Sequence, residues 1–311
     1  MCPVHESDSH TLESERVDVS GIFLDLMCDN DEEQDINLQT TQDLKRSILL
    51  ALNSRISTIQ MCEKAKAAHV ASSLSVIDIL SVIYAGAAGV SPSTVNDPDR
   101  DIVIVSKGHA AAGTYAVLAH AGFFSKNLLE SYGEDHSVLS GHVTTQVPGV
   151  ELSTGSLGHG LSVGAGIALG AKRSNLHRKV FVVLSDGECD EGSTWEAALF
   201  IAHHQLDNIV VLIDRNGIQS LDFTENVLRL EPLADKWRAF GWDTQEIDGH
   251  DHAEIWGAIA RDNSPTGLPR TIICQTIKGK GATFMENQVL WHYRPPAESD
   301  TFMAIAEITG C

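Results

Sequence analysis

The chain has 311 residues, a formal net charge of −20 at pH 7 and 43% hydrophobic residues. This length is enough to bury a full hydrophobic core, in one large domain or two small ones. So large a surplus of negative charge argues against nucleic acid and anionic membrane surfaces as partners. It does not exclude a small anionic ligand, because a metal ion or a helix end changes the local field.

The six cysteines form no C-x-x-C pair, so the sequence indicates neither a zinc site nor a disulfide framework. The amino terminus lacks the basic and apolar regions of a signal peptide. We expect no apolar run long enough to span a membrane. These features predict a cytoplasmic protein.

Residues 1–40 form an acidic extension. Within residues 1–39, Arg16 is the single cation against roughly eleven carboxylates, a composition that stays solvated and mobile. The folded part is predicted to begin near Thr41, so residues 41–311 are expected to form one domain.

The remaining chain alternates between helical and extended patterns. Apolar spacing predicts helices over residues 42–64, 75–85, 114–120, 161–172, 194–202 and 253–261. Apolar β-rich runs predict strands over residues 101–106, 180–184, 209–213, 242–247 and 270–277, and residues 281–293 are predicted to be a loop. Strands that alternate with helices predict an α/β fold, a doubly wound parallel sheet with helices on both faces.

Two polar sites follow neighbouring predicted strands. Asp186 comes directly after the strand at 180–184, and Asn216 follows the strand at 209–213. Ligands bind at the carboxyl ends of strands in open α/β sheets. The Asp186 carboxylate, the Asn216 amide and the backbone carbonyl of Ile218 are the oxygen ligands that Mg²⁺ prefers. Gly187 and the helix that follows favour a diphosphate beside the metal.

This pattern resembles the thiamine diphosphate motif of transketolases, in which Gly-Asp-Gly is followed after about thirty residues by Asn. It is most similar to the amino-terminal half of a split transketolase, over residues 42–295, with Ser185 at the position of the usual first glycine. The resemblance implies the thiamin diphosphate-binding (PP) fold, with Mg²⁺ (or Ca²⁺ or Mn²⁺) held by Asp186, Asn216 and Ile218. It also implies a set of cofactor-binding residues: His109, Gly155, Ser156, Leu157, Asp186, Gly187, Glu188, Asn216 and Ile218.

Several of the fourteen histidines stand beside glycine or small residues in predicted turns. Loops at one edge of a sheet converge, and histidines on such loops are candidates for binding and proton transfer. The resemblance implies catalytic roles for His69, His109, His142 and His292. The loop around His69 lacks the proline and both glycines usual in the family, and His159 replaces a glutamine.

Glu191 is open to two interpretations. The resemblance implies a catalytic role in a proton relay at a subunit interface. The alternative is an acidic residue that stabilises a helix N-terminus through the macrodipole.

The resemblance further implies a missing component. In the family, a glutamate that activates the cofactor lies in a pyrimidine-binding domain, and no further strands are predicted here to form one. We therefore expect an obligate heteromer, two copies of this chain with two of a carboxyl-terminal transketolase subunit. Together they would transfer a two-carbon ketol unit from a ketose donor to an aldehyde acceptor, or to a specialised acceptor.

Two other functions share parts of this pattern. The alpha subunit of a 2-oxo acid dehydrogenase, or a related chain that loads a carrier protein, has the metal motif but usually lacks the histidine-rich loops. A catalytically silent binding module is compatible with Ser185 and the altered His69 loop. The intact Asp186 and Asn216 and the four histidines argue against it.

Overall fold

The computed structural model describes residues 38–260 and 267–310, so the predicted acidic extension lies outside the described residues apart from its last three positions. The helices are α1 (Leu38–Lys64), α2 (Val70–Val82), α3 (Ala111–His120), α4 (Gly160–Arg173), α5 (Gly192–His203), α6 (Thr224–Val227), α7 (Leu233–Ala239), α8 (His252–Ala260) and α9 (Glu298–Thr309). The strands are β1 (Ile102–Val105), β2 (Val180–Ser185), β3 (Ile209–Arg215), β4 (Asp243–Asp248) and β5 (Arg270–Gln275).

All five strands are parallel and lie in the order β1-β2-β3-β5-β4. Successive side chains point to opposite faces of the sheet. Val183 and Leu212 pack in a core shared with α1, α2 and α3. Leu184 and Ile213, one position further, pack in a second core with α4, α5 and α7. The predicted doubly wound α/β fold with helices on both faces is confirmed.

Helix α2 corrects two expectations. It begins at Val70, five residues before the predicted start, because Ser72 and Ser73 interrupt the apolar pattern although both side chains are buried. The segment Val70–Ala87 also has 18 residues with a mean hydropathy of 1.7, which meets the length expected of a membrane span. The expectation that no run reaches that length was wrong. This window is 89% buried inside the protein, as in a core helix of a folded domain.

The carboxyl-terminal part of the chain contains one helix, α9, that the sequence patterns did not indicate. Helix α9 carries exposed apolar side chains, Phe302 and Met303, so its apolar positions do not mark a buried face. It ends at Thr309 and is capped by Gly310, whose φ of 71° suits a residue without a side chain. Residues 281–293 form the predicted loop, apart from a short 3₁₀ turn at Val289–His292.

The sheet order determines where the site lies. Strands β1, β2, β3 and β5 are neighbours, and all four run in one direction. The turns that follow them therefore meet at one edge. These turns contain Lys107, Asp186, Asn216 and Lys278.

Candidate active site

A cavity of about 210 Å³ opens at the carboxyl edge of the sheet. It is lined by residues from the turns after four strands and from the segments around His69 and His292. Its wall comprises His69, Lys107, His109, Gly155, Leu157, Ser185, Asp186, Gly187, Asn216, Ile218, Gln219, Ser220, Lys278, His292 and Tyr293. Most of the residues predicted to hold a cofactor are therefore brought together.

Asp186 is 2% exposed and its carboxylate is held by three donors. Oδ1 accepts a hydrogen bond from the Gly187 N–H at 2.8 Å, and Oδ2 accepts from the Gly217 N–H at 2.7 Å. The Arg215 guanidinium forms an ion pair with Oδ2 at 3.2 Å. Burial and the nearby Asp214 carboxylate raise the pKa of Asp186, and Arg215 opposes that rise. The carboxylate is thus fixed in orientation at the cavity wall.

Asn216 and Ile218 supply two further oxygens. Asn216 Oδ1 accepts from the Ile218 N–H at 3.1 Å. The Ile218 carbonyl accepts from Lys278 Nζ at 2.9 Å and keeps a second lone pair. With Asp186 they form a set of oxygen donors that fits a hard cation such as Mg²⁺. In residues 38–260 and 267–310, no group of three or more His, Cys, Asp or Glu is arranged to hold a metal.

Two lysines bring cationic groups to this wall in a chain of strongly negative charge. Lys107 is 1% exposed and forms an ion pair with Asp214. Lys278 is also 1% exposed, and burial together with the charge of Lys107 lowers the pKa of Lys278 to about 7. An anionic group in the cavity would offset both the burial of the Lys278 ammonium and its repulsion by Lys107. The fit to a diphosphate therefore rests on positive charge as well as on this set of oxygen donors.

The four predicted histidines lie in one cluster. Ring centroids are separated by 5.1 Å for His69 and His292, by 5.4 Å for His69 and His109, and by 6.0 Å for His69 and His142. His69 has a φ of 69°, and its N–H donates to the His292 carbonyl at 2.9 Å. Residues that are far apart in sequence thus present their imidazoles to one space.

Three histidines of this cluster, His69, His109 and His292, are neutral near pH 7 because their pKa values are lowered. Burial, followed by the positive charges of nearby residues, lowers the pKa of His69 to about 4 and that of His292 to about 3. Burial and Lys107 hold the pKa of His109 well below its ordinary value. A neutral imidazole has one donor and one acceptor nitrogen. His292 Nδ1 lies 2.8 Å from Lys278 Nζ, so that nitrogen accepts and Nε2 carries the proton.

These pKa values predict that the protein loses stability in mild acid. The unfolded chain binds protons at histidine near pH 6.5, whereas folded His69 and His120 have a pKa of about 4 and His292 of about 3. Stability is full above pH 6.5 and falls as the pH drops towards 4, by on the order of 1 kcal/mol per partly exposed histidine. Urea unfolding at pH 7.5 and pH 5.0 measures the loss.

His120 tests whether the protonation of buried histidines causes this loss of stability, because His120 does not line the cavity. His120→Asn removes one of the groups whose pKa differs between the folded and unfolded states. We expect its free energy of unfolding to depend less steeply on pH than that of the wild type. An unchanged slope would contradict the protonation of buried histidine as the cause.

Other predicted site residues lie beside the cavity and do not line it. Glu188 is fully buried, and its carboxylate accepts hydrogen bonds from Ser106 Oγ and, at 2.9 Å, from the Gly158 N–H. It therefore fixes two turns of the wall. Ser156 and His142 are exposed, and His142 Cδ2 would be only 3.1 Å from a methyl group placed on Gly155.

Glu191 is exposed and stands at the N-cap of α5. A carboxylate at this position is stabilised by the helix macrodipole. An exposed carboxylate is also available to a partner chain, so the relay role stays a prediction.

Two charged residues of the site were missed. Arg215 directly precedes Asn216 and contacts Asp186, Glu225 and Glu231. Lys107 directly precedes the Gly108-His109 turn. The signal available in the sequence was a cation adjacent to a predicted site residue, which does not by itself reveal a buried partner.

Together, fold and site define a thiamine diphosphate-binding α/β domain. Residues 48–307 match the family model described as transketolase, thiamine diphosphate binding domain. The chain belongs to the transketolase family of transferases, as its amino-terminal, diphosphate-binding subunit.

The similar proteins include chains of comparable length, which are themselves named as transketolase subunits. The chain is 38% identical over 256 residues to an apulose-4-phosphate transketolase subunit of Phocaeicola vulgatus, covering 82% of this chain and 91% of the relative. It is 36% identical over 277 residues to 6-deoxy-6-sulfo-D-fructose transketolase subunit SqwG of Clostridium sp., covering 89% and 98%.

Solved transketolases share the fold over part of their length. The Campylobacter jejuni enzyme superposes with a TM-score of 0.77 at 28% identity, covering 86% of this chain and 43% of the enzyme. The Leishmania mexicana enzyme also gives 0.77, at 25% identity, covering 84% and 41%. This chain thus spans less than half the length of these solved enzymes.

Proposed function

We propose that this chain binds thiamine diphosphate and Mg²⁺ and forms, with a carboxyl-terminal partner, a two-component transketolase. The enzyme would transfer a two-carbon ketol unit from a ketose to an aldehyde. The observation that carries the proposal is the cavity that joins the oxygens of Asp186, Asn216 and Ile218 to the neutral imidazoles of His69, His109 and His292. The histidine-rich wall favours a transketolase over a 2-oxo acid dehydrogenase.

The chain's own groups match the parts of the cofactor. Asp186, Asn216 and the Ile218 carbonyl would hold the metal, and Lys278 and Lys107 would balance the charge of the diphosphate. When bound, thiamine diphosphate supplies the electron sink needed to break a carbon–carbon bond beside a carbonyl.

The histidines would act on the sugar. Neutral imidazoles at His69 and His109 can donate a hydrogen bond to a carbonyl or hydroxyl oxygen and accept one from a hydroxyl. His292 is oriented by Lys278, so its Nε2–H is the available donor. These groups would align the donor sugar and move protons at its hydroxyl oxygens.

The composition of the cavity wall supports a partner. Asp186 is the single carboxylate among the described residues that line the cavity, and its oxygens already bind Arg215 and two backbone amides. A carboxylate that contacts the aminopyrimidine ring would come from a second chain. The names of the Phocaeicola vulgatus and Clostridium relatives, which describe those proteins as subunits of their transketolases, agree with this.

Apolar side chains beside the cavity indicate where a partner would bind. Ser220 lines the cavity, and the following segment exposes Leu221 (77%), Phe223 (44%) and Leu228 (56%). Several exposed apolar side chains in one short segment beside the cavity favour protein contact there. We propose an assembly of two copies of this chain with two of the partner, located in the cytoplasm. Sedimentation of the reconstituted complex and cell fractionation test these two points.

The decisive experiment is deuterium exchange at C2 of thiamine diphosphate, followed by proton NMR with Mg²⁺ present. We expect slow exchange with this chain alone and fast exchange after the partner is added, because the activating carboxylate would come from the partner. Fast exchange with this chain alone would contradict the need for a partner. Slow exchange in a complex verified by sedimentation would favour the catalytically silent module.

A further inference from the structure

Lys278 reaches the cavity from the turn after β5. Its Nζ donates to the Ile218 carbonyl at 2.9 Å and lies 2.8 Å from His292 Nδ1. The side chain is long and flexible, so holding the ammonium at this point requires that the backbone on both sides of Lys278 be fixed.

One side of the turn is held by His250. The Ile277 N–H donates to His250 Nε2 at 2.8 Å. Because Nε2 accepts, the proton of the neutral ring is on Nδ1, and that N–H donates to Asp78 Oδ2 at 2.6 Å. His250 therefore connects the backbone directly before Lys278 to a buried carboxylate.

The other side is held by Arg55. Its Nε donates to the Lys280 carbonyl at 3.4 Å, and its Nη1 donates to Asp78 Oδ1 at 2.9 Å. Both ends of the turn at residues 277–280 are thus tied, through different side chains, to the carboxylate of Asp78.

Asp78 is suited to this position. It is 3% exposed and lies in α2, the helix whose N-cap is His69. Burial alone would raise its pKa, but the charge of Arg55 and hydrogen bonds from His250 and His252 hold the pKa well below its usual range. The carboxylate stays ionised and bonded on both oxygens, as a fixed anchor for its partners.

We infer that Asp78, acting through His250 and Arg55, is a positioning residue that places the Lys278 ammonium in the cavity. The inference deepens the proposed function and rests on it for the identity of the anion, thiamine diphosphate, that Lys278 would meet. The hydrogen-bonded chain itself rests on the described contacts alone.

His252 provides a matched control. Its Nε2 contacts the same Asp78 carboxylate at 3.1 Å, but its Nδ1 lies 2.7 Å from Ser47 Oγ on α1. His250→Phe and His252→Phe each remove one bond to Asp78, and the first alone releases the turn. His250→Gln keeps an acceptor near the position of Nε2.

Hydrogen exchange tests the positioning without any cofactor. The Gly279 amide donates to the Ala71 carbonyl at 3.0 Å and is not bonded to His250, so it reports on the whole turn. We expect its exchange to be about tenfold faster in His250→Phe, close to wild type in His252→Phe, and largely restored in His250→Gln. Unchanged exchange in His250→Phe, or equal effects of both phenylalanine variants, would overturn the inference.

Calorimetric titration with thiamine diphosphate and Mg²⁺, up to millimolar concentrations, tests whether the turn at residues 277–280 affects cofactor binding. Hydrogen-bond partners of metal ligands typically contribute 10–100-fold in metal affinity, and Lys278 is such a partner of the Ile218 carbonyl, a proposed ligand. We expect His250→Phe to raise the dissociation constant at least tenfold and His252→Phe to leave it within about twofold. Equal affinity in both variants and the wild type would overturn the positioning role. Failure of the wild-type chain to bind would contradict the proposed function, while the exchange data would still decide the inference.

Discussion

Asp186→Asn is expected to weaken the binding of thiamine diphosphate with Mg²⁺ by roughly 100-fold or more. Even the hydrogen-bond partners of metal ligands contribute 10–100-fold, and this change replaces an anionic ligand by a neutral one. The remaining amide oxygen can accept from the Gly187 or Gly217 N–H, but the NH₂ group offers nothing to a cation. Calorimetric titration, with and without Mg²⁺, measures the loss.

Asp190→Asn is the matched control for this change. Asp190 lies on the same turn, accepts a hydrogen bond from Gln219 and does not line the cavity. The fold should persist in both variants, because Arg215 keeps Glu225 and Glu231 as partners after Asp186 is neutralised. Urea unfolding checks that point. Equal affinities of the two variants would contradict Asp186 as a metal ligand.

The sequence predicted the centre of the fold because the central strands are buried on both faces. Residues 180–184 and 209–213 are nearly continuous β-branched runs, the pattern of strands covered by helices on each side. Once the two strands are placed, Asp186 and Asn216 must lie at one edge of the sheet. The meeting of the four histidines followed from the same reasoning about loops.

The charged partners of the site were not predictable in this way. Arg215 and Lys107 are buried and form ion pairs with Asp186 and Asp214, which are distant from them in sequence. Hydrophobic patterns carry no information about such pairs. The apolar spacing did not predict helix α9, because the apolar Phe302 is exposed and does not mark a buried face. Local spacing indicates which face is buried, whereas a buried ion pair depends on tertiary neighbours.

The second large effect concerns the buried pair of Lys107 and Asp214, whose side chains are 1% and 0% exposed. Lys107→Met is expected to lower the free energy of unfolding by about 3–5 kcal/mol, because it leaves a buried carboxylate without its cation. Burial alone would raise the pKa of Asp214, and the ammonium with hydroxyls of Ser75 and Thr276 keeps it low. Urea unfolding near pH 7.5 measures the change.

A double-mutant cycle separates the pair from its surroundings. Lys107→Met combined with Asp214→Asn removes both charges, so we expect it to be less destabilised than the sum of the single changes. The same cycle on Lys172 and Asp207, whose side chains are 44% and 32% exposed, should show a coupling below about 1 kcal/mol. Similar coupling in the two pairs would contradict the role of burial.

The double variant also separates the contribution of Lys107 to stability from its contribution to cofactor binding. A buried ion pair is often no more stabilising than apolar side chains of similar volume, so stability alone does not explain why this one is present. Lys107 lines the cavity, where its charge would face the diphosphate. We therefore expect the double variant to recover much of its stability and still bind thiamine diphosphate with Mg²⁺ at least tenfold more weakly than the wild type. Calorimetric titration decides this, and wild-type affinity in the stable double variant would show that Lys107 serves the fold and not the cofactor.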